Sequence, residues 1–166
     1  MQRKFHLLNS PKYFSISEEY GLFGVAERNI NQIANIWKGD IIFYYTARRI
    51  GLRTVGFIYG PFEITSEFFY NTSVVWVKNL NNPKVDKYPY RIKFRYLEEH
   101  ICLNPVPVQA LWDLKEEGKI KTIIDSSALI DKAVITLLEE EGILLLQALL
   151  QANFKSAEYD KEIGRA

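Results

Sequence analysis

The stretch Ile41–Thr65, IIFYYTARRIGLRTVGFIYGPFEIT, decides the fold. Ile41–Thr46 is β-branched and aromatic, the composition of a strand. Arg48–Arg53 is a basic turn around Gly51. Thr54–Thr65 is a second, longer strand, interrupted by Gly60-Pro61. Proline has no N–H to give a ladder, so Gly-Pro inside a strand marks a bulge or a sharp bend, as a small barrel needs at its corners. The two strands therefore predict a strongly curved sheet.

Toward the N-terminus the pattern alternates between short strands and short helices. Ile30, Ile33, Ala34 and Trp37 fall on one face of a helix over Ile30–Trp37, capped by Asn29 and followed by the turn Lys38-Gly39-Asp40. Leu22–Ala26 is a short buried strand. Ser10-Pro11 sets an N-cap and first turn for a helix that runs to Glu19-Tyr20 and stops at Gly21. Lys4–Asn9 is the first strand.

Toward the C-terminus, Ser66–Thr72 reads as a loop, Ser73–Val77 as a strand and Leu80–Lys87 as a polar loop. Tyr90–Leu97 alternates, with Ile92, Phe94 and Tyr96 on one face and Arg91, Lys93 and Arg95 on the other. After Pro105 and Pro107 the chain turns helical. One helix covers Val108–Glu117, ending at Gly118. Another starts near Leu129, capped by Ser126 or Ser127, and runs to about Phe154, with Gly142 as a kink or a break. Trp37 and Trp112 are assigned to the core. The fold class is α+β: a small curved mixed sheet or pseudo-barrel with short helices and C-terminal helices. Residues 1–154 form one domain, and 155–166 a frayed polar tail.

Composition narrows the chemistry. The 166 residues are 48% hydrophobic and 14% aromatic, with ten Tyr and ten Phe, enough apolar surface for a core and for a ring-lined site. One cysteine, Cys102, excludes an internal disulfide and a thiolate metal cluster, and two histidines, His6 and His100, are too few for the usual nitrogen sites. No metal and no cofactor is expected, and a reducing, cytoplasmic setting fits. The start MQRKFHLLNSPKYF lacks the apolar run of a signal peptide, and Ile143–Leu150 is too short to span a bilayer. Residues 1–97 carry fourteen Lys/Arg against seven Asp/Glu, and 98–166 seven against thirteen, so +7 and −6 sum to the net +1. A basic body and an acidic end point to a polyanionic partner, or to a chance asymmetry of an ordinary surface.

Catalytic motifs are missing. There is no G-x-S-x-G, no phosphate loop, no G-x-G-x-x-G and no H-E-x-x-H. His6, His100 and Cys102 read as structural residues, and Glu18-Glu19 and Glu139–Glu141 as solvated helix faces. What remains is aromatic and basic. Phe23, Tyr44, Tyr45, Phe68, Phe69, Tyr70, Trp76, Tyr88 and Tyr90 lie on or beside strands, with Arg48, Arg49, Arg53, Lys84, Lys87, Arg91, Lys93 and Arg95 among them. Rings stack on nucleobases and cations neutralise phosphates.

Six segments in order sharpen this. Lys4–Asn9 with Ser10, GLFGV at 21–25, IWKGDIIFYYT at 36–46, Thr54–Phe62, SEFFYNTS at 66–73 and YPYRIK at 88–93 resemble successive motifs of the EVE domain family, followed by a closing helix over Ile130–Leu150. EVE domains are PUA-like and are related to the YTH domains that read methylated RNA. The resemblance covers about residues 3–150. It departs at Phe23, where Trp is usual, and at Asp125-Ser126-Ser127, where a W-S is common. It implies a non-catalytic reader of a modified base, a modified cytosine first, in DNA or RNA. The base pocket would comprise Asn9 and Ser10 as polar readers, Phe23 as one ring, the Gly24 backbone as an edge contact and Tyr45 or Tyr70 as a second ring. Arg53, Arg91 and Lys132 would hold phosphates. Each residue also has a plain role: Phe23 as core, Asn9 and Ser10 as a helix cap, Tyr45 as a half-buried strand tyrosine. Two other classes stay open. One is a nucleobase- or RNA-modifying enzyme using Glu67 or Asp86. The other is a protein-interaction module using the apolar helical end, with the chain a monomer or weak homodimer and no membrane partner.

Overall fold

The strand signals appear in the computed structural model as one curled sheet of eight strands. The structure describes residues 3–9, 14–76, 85–97, 104–123 and 133–162, the backbone alone at 48–50, 54 and 154–162. The strands are β1 (Phe5–Asn9), β2 (Leu22–Val25), β3 (Ile41–Ile50), β4 (Arg53–Ile64), β5 (Phe69–Tyr70), β6 (Tyr90–Tyr96), β7 (Val106–Pro107) and β8 (Val134–Leu137). Their order is β2-β6-β4-β3-β1-β8, with β5 added to β6 and β7 to β4. Among the described residues only β1 and β3 pair in parallel. Among the described residues the helices are α1 (Phe14–Tyr20), α2 (Ile30–Ile33), α3 (Gln109–Glu116) and α4 (Glu139–Glu162).

Alternation along β3 supplies two cores, one on each face. Ile41 and Phe43 point to the face covered by α3 and α4, where Phe5, Leu7, Leu111, Leu145 and Leu149 are buried with them. Ile42 and Tyr44 point to the face covered by α1, α2 and β2, beside Leu8, Phe14, Phe23, Ile33 and Phe62. A period of two on a strand buried on both sides requires this split.

Gly60-Pro61 makes the expected bulge. The β3–β4 register jumps between Ile42↔Phe62 and Tyr44↔Tyr59. Gly60 has φ 134°, and a Cβ there would stand 3.1 Å from the Ile42 carbonyl oxygen, so only glycine fits. On one side of the bulge β4 pairs with β7 through Phe57 and Ile58; on the other it pairs with β6 through Phe62–Ile64. The bend lets one strand serve two neighbours.

Several expectations change. Ile30–Trp37 shortens to α2 after a 3-10 turn at Glu27–Asn29, and Trp37 is 48% exposed rather than core, while Trp112 is half-buried. Val134–Leu137, expected inside a helix, is the edge strand β8, antiparallel to β1. Gly142 does not split α4; a Cβ there would overlap the Phe5 ring, so the glycine sets the close approach of helix to sheet. The backbone of α4 is helical as far as Glu162, beyond Phe154. The strand expected from Ser73 onward does not form over Ser73–Trp76, because the amides of Val75 and Trp76 donate to the Asp86 carboxylate, each at 2.8 Å. The expected helix starts at Ser10-Pro11 and near Leu129, and Val77 itself, lie outside the described residues.

Glu141 is also not a solvated face. It is buried at the start of α4, where its carboxylate accepts from the Leu138, Lys121 and Thr122 amides at 2.8, 2.6 and 2.9 Å and from the Thr122 hydroxyl. Burial alone would raise its pKa; the four donors outweigh burial and hold it below the ordinary carboxylate value.

Candidate nucleic-acid interface

The predicted pocket residues divide between the two ends of the sheet. Asn9 and Tyr45 come together at the end where β1 finishes, as register partners in the parallel pair. Alternation with Leu7 and Phe43 turns both toward the α3–α4 face. The Asn9 amide N–H donates to the Ala133 carbonyl at 3.0 Å, tying β1 to the residue next to Lys132. The Tyr45 ring lies across Gly56, where an added Cβ would be 2.6 Å from Cε2. Glycine thus provides a flat floor for the ring. The ring is half-buried, and this burial pushes the phenol pKa up. Arg53 is exposed at the turn end of the same β3–β4 hairpin, five residues of strand, about 17 Å, beyond Tyr45. Ser10 and Lys132 lie outside the described residues.

Phe23, Gly24, Tyr70 and Arg91 belong to the other end, where β6 begins. Phe23 is 2% exposed and points into the α1–α2 core, with its ring 5.7 Å from Tyr44 in an edge contact. It packs against protein and has no face for a base. Gly24 looks to the opposite side, but the Trp76 ring covers it: an added Cβ would be 2.7 Å from Trp76 Cη2 and 2.9 Å from the Tyr88 carbonyl oxygen. Tyr70 is 65% exposed and lies 5.2 Å from the Tyr90 ring.

Arg91 is corrected most. The alternation places it on the outer face of β6, as expected, but residues 71–76 and 85–89 fold over that face and bury it. Its Nε donates to the Tyr88 carbonyl at 3.0 Å, one terminal nitrogen to Ser73 Oγ at 2.9 Å and the other to the Ser73 carbonyl. The guanidinium sits 5.1 Å over the Trp76 ring and 4.0 Å from Asp86. All three nitrogens are engaged inside the protein, so Arg91 is an anchor for the covering loop, not a phosphate contact. Asp86 also accepts from the Tyr88 amide at 3.0 Å, so this carboxylate is structural.

Sequence reasoning missed three features. Trp76 is the lid of this second packing unit, its indole N–H donating to Ser17 at 2.9 Å. Trp37 and Phe68, 48% and 41% exposed, line an open depression of about 170 Å³ with Ala34, Ile36 and Glu67. A wrong helix end hid it. His6 is fully buried, with Nε2 2.9 Å from Asp40 and Nδ1 3.0 Å from Thr136 Oγ1. Asp40 can only accept, so His6 donates from Nε2 and takes the Thr136 hydroxyl at Nδ1. Asp40 also accepts from the Trp37 and Lys4 amides at 2.9 and 3.1 Å. The network clamps β1, β3 and β8. Among the described residues no three His, Cys, Asp or Glu side chains converge as metal ligands, and no helix is long and apolar enough to cross a membrane.

A curled mixed sheet with a parallel β1–β3 pair, helices on both faces and a bulged central hairpin is a PUA-like α+β fold. No family model and no curated protein matches the sequence. Solved structures match its fold. Human THYN1, in complex with 5-methylcytosine-containing DNA, matches with a TM-score of 0.54 and 11% identity over 87% of this chain and 96% of that one. The YTH domain-containing protein mmi1, in a complex with RNA, matches with a TM-score of 0.57 and 9% identity over 99% and 88%. The YTH domain of Zygosaccharomyces rouxii MRB1, in complex with N6-methyladenosine RNA, matches with a TM-score of 0.53 and 11% identity over 89% and 87%. The chain therefore has the EVE- and YTH-like fold that its motifs resemble.

Proposed function

We propose that the chain is a non-catalytic nucleic-acid-binding module that takes up one modified base, a modified cytosine, at the Asn9–Tyr45 end of its sheet. The observation that supports this is the likeness of nearly the whole chain to a domain held on 5-methylcytosine DNA and to another held on N6-methyladenosine RNA. The local chemistry agrees. The Tyr45 ring is held rigid on Gly56, and a ring so fixed contributes roughly 1–3 kcal/mol to stacking on a base. Asn9, the register partner of Tyr45, carries an amide side chain, the type that reads a base edge. Arg53 supplies a cation for phosphate further along the hairpin.

The test is a fluorescence anisotropy titration at one fixed salt concentration. The probes are short single-stranded and duplex DNA and RNA carrying cytosine, 5-methylcytosine, 5-hydroxymethylcytosine or N6-methyladenine. Binding of one modified base at least about tenfold tighter than its unmodified parent is expected, equivalent to about 1.4 kcal/mol. Tyr45→Ala should abolish that preference and Tyr45→Phe should keep it. Equal, salt-sensitive binding to every probe would leave only a basic surface and overturn the reading.

A further inference from the structure

Trp37 and Phe68 are large rings left half in water, and they line one depression. Ala34 and Ile36 supply the rest of its apolar wall, and Glu67 its one charged side chain. The depression stands apart from the proposed base site. Ile36 belongs to the core beneath α1 and α2, whereas Tyr45 packs against the core beneath α3 and α4. Trp37 is bonded to Asp40, just before β3 begins, and Tyr45 lies five residues further on, about 17 Å along the strand.

The backbone beneath both rings is fixed. The Trp37 amide donates to the Asp40 carboxylate at 2.9 Å, and its carbonyl accepts the Asp40 amide at 3.0 Å. Asp40 is buried and held in turn by His6. On the other side of the depression, the Ser66 hydroxyl donates to the Glu67 carbonyl and accepts the Lys93 amide, each at 2.9 Å. The Thr65 amide donates to the Lys93 carbonyl at 2.9 Å. A ligand would meet two rings whose backbone is already ordered, which lowers the entropic cost of binding.

Charge selects the guest. Residues 30–37 and 61–70, which line the depression, carry Glu63 and Glu67 and no lysine or arginine. Glu63 has Arg95 at 3.9 Å, while Glu67 forms no ion pair among the described residues. Lys38 is exposed but does not line the depression. A nucleotide would bring its phosphate toward an unneutralised carboxylate. A cation gains from that carboxylate and from the ring faces together. A compact ammonium is best held by rings on several sides, and this depression is open. A flat guanidinium needs only a ring face beneath it and a carboxylate at its edge to accept its fork of N–H donors. We propose that the depression receives an arginine side chain of a partner polypeptide, which lies against Trp37 and Phe68 and donates to Glu67. The surface does not depend on base reading, and it would let the chain hold a protein and a nucleic acid at the same time.

The experiment follows backbone amide NMR shifts of the full chain during titration with a capped glycine peptide carrying one central arginine. Parallel titrations use the same peptide with lysine, or with citrulline, the neutral isostere of arginine. Saturable shifts are expected at Trp37, Phe68 and their neighbours, with none at Asn9 and Tyr45. Citrulline should bind about tenfold more weakly and lysine a few-fold more weakly. Glu67→Gln should weaken the arginine peptide about tenfold and remove most of the salt dependence. Trp37→Ala should weaken it at least about fivefold, and Trp37→Phe should keep most of the affinity. Melting temperatures equal to that of the unsubstituted chain separate these losses from misfolding. Equal binding of citrulline and arginine would reduce the site to an apolar dent and overturn the proposal. So would the absence of saturable shifts at Trp37 and Phe68. Shifts at those two amides on adding DNA would assign the depression to the nucleic-acid surface instead. Failure of the base-reading proposal shows elsewhere, as equal binding of modified and unmodified probes, and leaves the arginine titration unaffected.

Discussion

The two ends of the sheet are built from the same kinds of residue and use them in opposite ways. Where β6 begins, Trp76, Tyr88, Arg91 and Asp86 satisfy one another, and the arginine is buried beneath the loop it holds. Where β1 ends and the hairpin runs out, Arg53 is exposed and the Tyr45 ring rests on a glycine. Aromatic and basic composition alone does not distinguish an interior anchor from a surface offered to a partner. Coverage by a distant segment does.

The strongest way to break this comparison is to truncate the two arginines. Arg91→Ala leaves Asp86 buried without its cation and the Ser73 carbonyl without its donor. It is expected to lower stability by about 3–5 kcal/mol in denaturant melts. Arg53→Ala should shift stability by no more than about 0.5 kcal/mol while weakening nucleic-acid binding. A stable Arg91→Ala protein that had lost only its affinity for DNA would reverse the assignment of the two ends.

Smaller effects come from the two glycines under aromatic rings. Gly24→Ala forces Trp76 off its seat and its Ser17 bond, and Gly56→Ala lifts Tyr45. Overpacking of this kind costs about 1–3 kcal/mol. Only Gly24→Ala should alter the Trp76 emission, and only Gly56→Ala should change base preference. A change of base preference in both would merge the ends into one site.

Proton linkage sharpens the picture at the smallest scale. Burial holds the His6 pKa below its ordinary value, against the pull of the Asp40 bond. The unfolded chain then binds the extra proton first, so stability is full above about pH 6.5 and falls as pH drops below it. The depressed Glu141 pKa adds a second loss as pH falls below the ordinary carboxylate range near 4.3. Melting temperature should therefore decline in acid in two stages, the first absent in a His6→Gln variant.

Much of the fold was legible because it is written locally. β1, β2, β3, β4 and β6 each carry a period of two or a short apolar run, and Gly60-Pro61 announces its own bulge. β8 was not legible. VITL sits between Asp131-Lys132-Ala133 and the acidic start of α4, where Leu137, Leu138, Ile143 and Leu144 extend a helical apolar pattern over it. Only pairing with β1, more than a hundred residues away in sequence, makes it a strand. The site was half legible for the same reason. Asn9 and Tyr45 are neighbours because two clear strands run side by side. Arg91 was placed on the right face of β6, but nothing near it in sequence says that this face is roofed. Glu141 resembles its solvated neighbours Glu139 and Glu140 until the loop at 120–123 arrives to donate to it.

The bulged strand β4 has a consequence for how the molecule comes apart. Ile58 belongs to one core and Phe62 and Ile64 to the other, and β3 alternates between the same two. β2 and β6 serve one core alone and β7 the other, but β1, β3 and β4 serve both, so neither core keeps its central strands if the other melts. Amides in β3 and β4 inside the hairpin's flanked portion should therefore exchange with solvent only through global unfolding, as one cooperative unit.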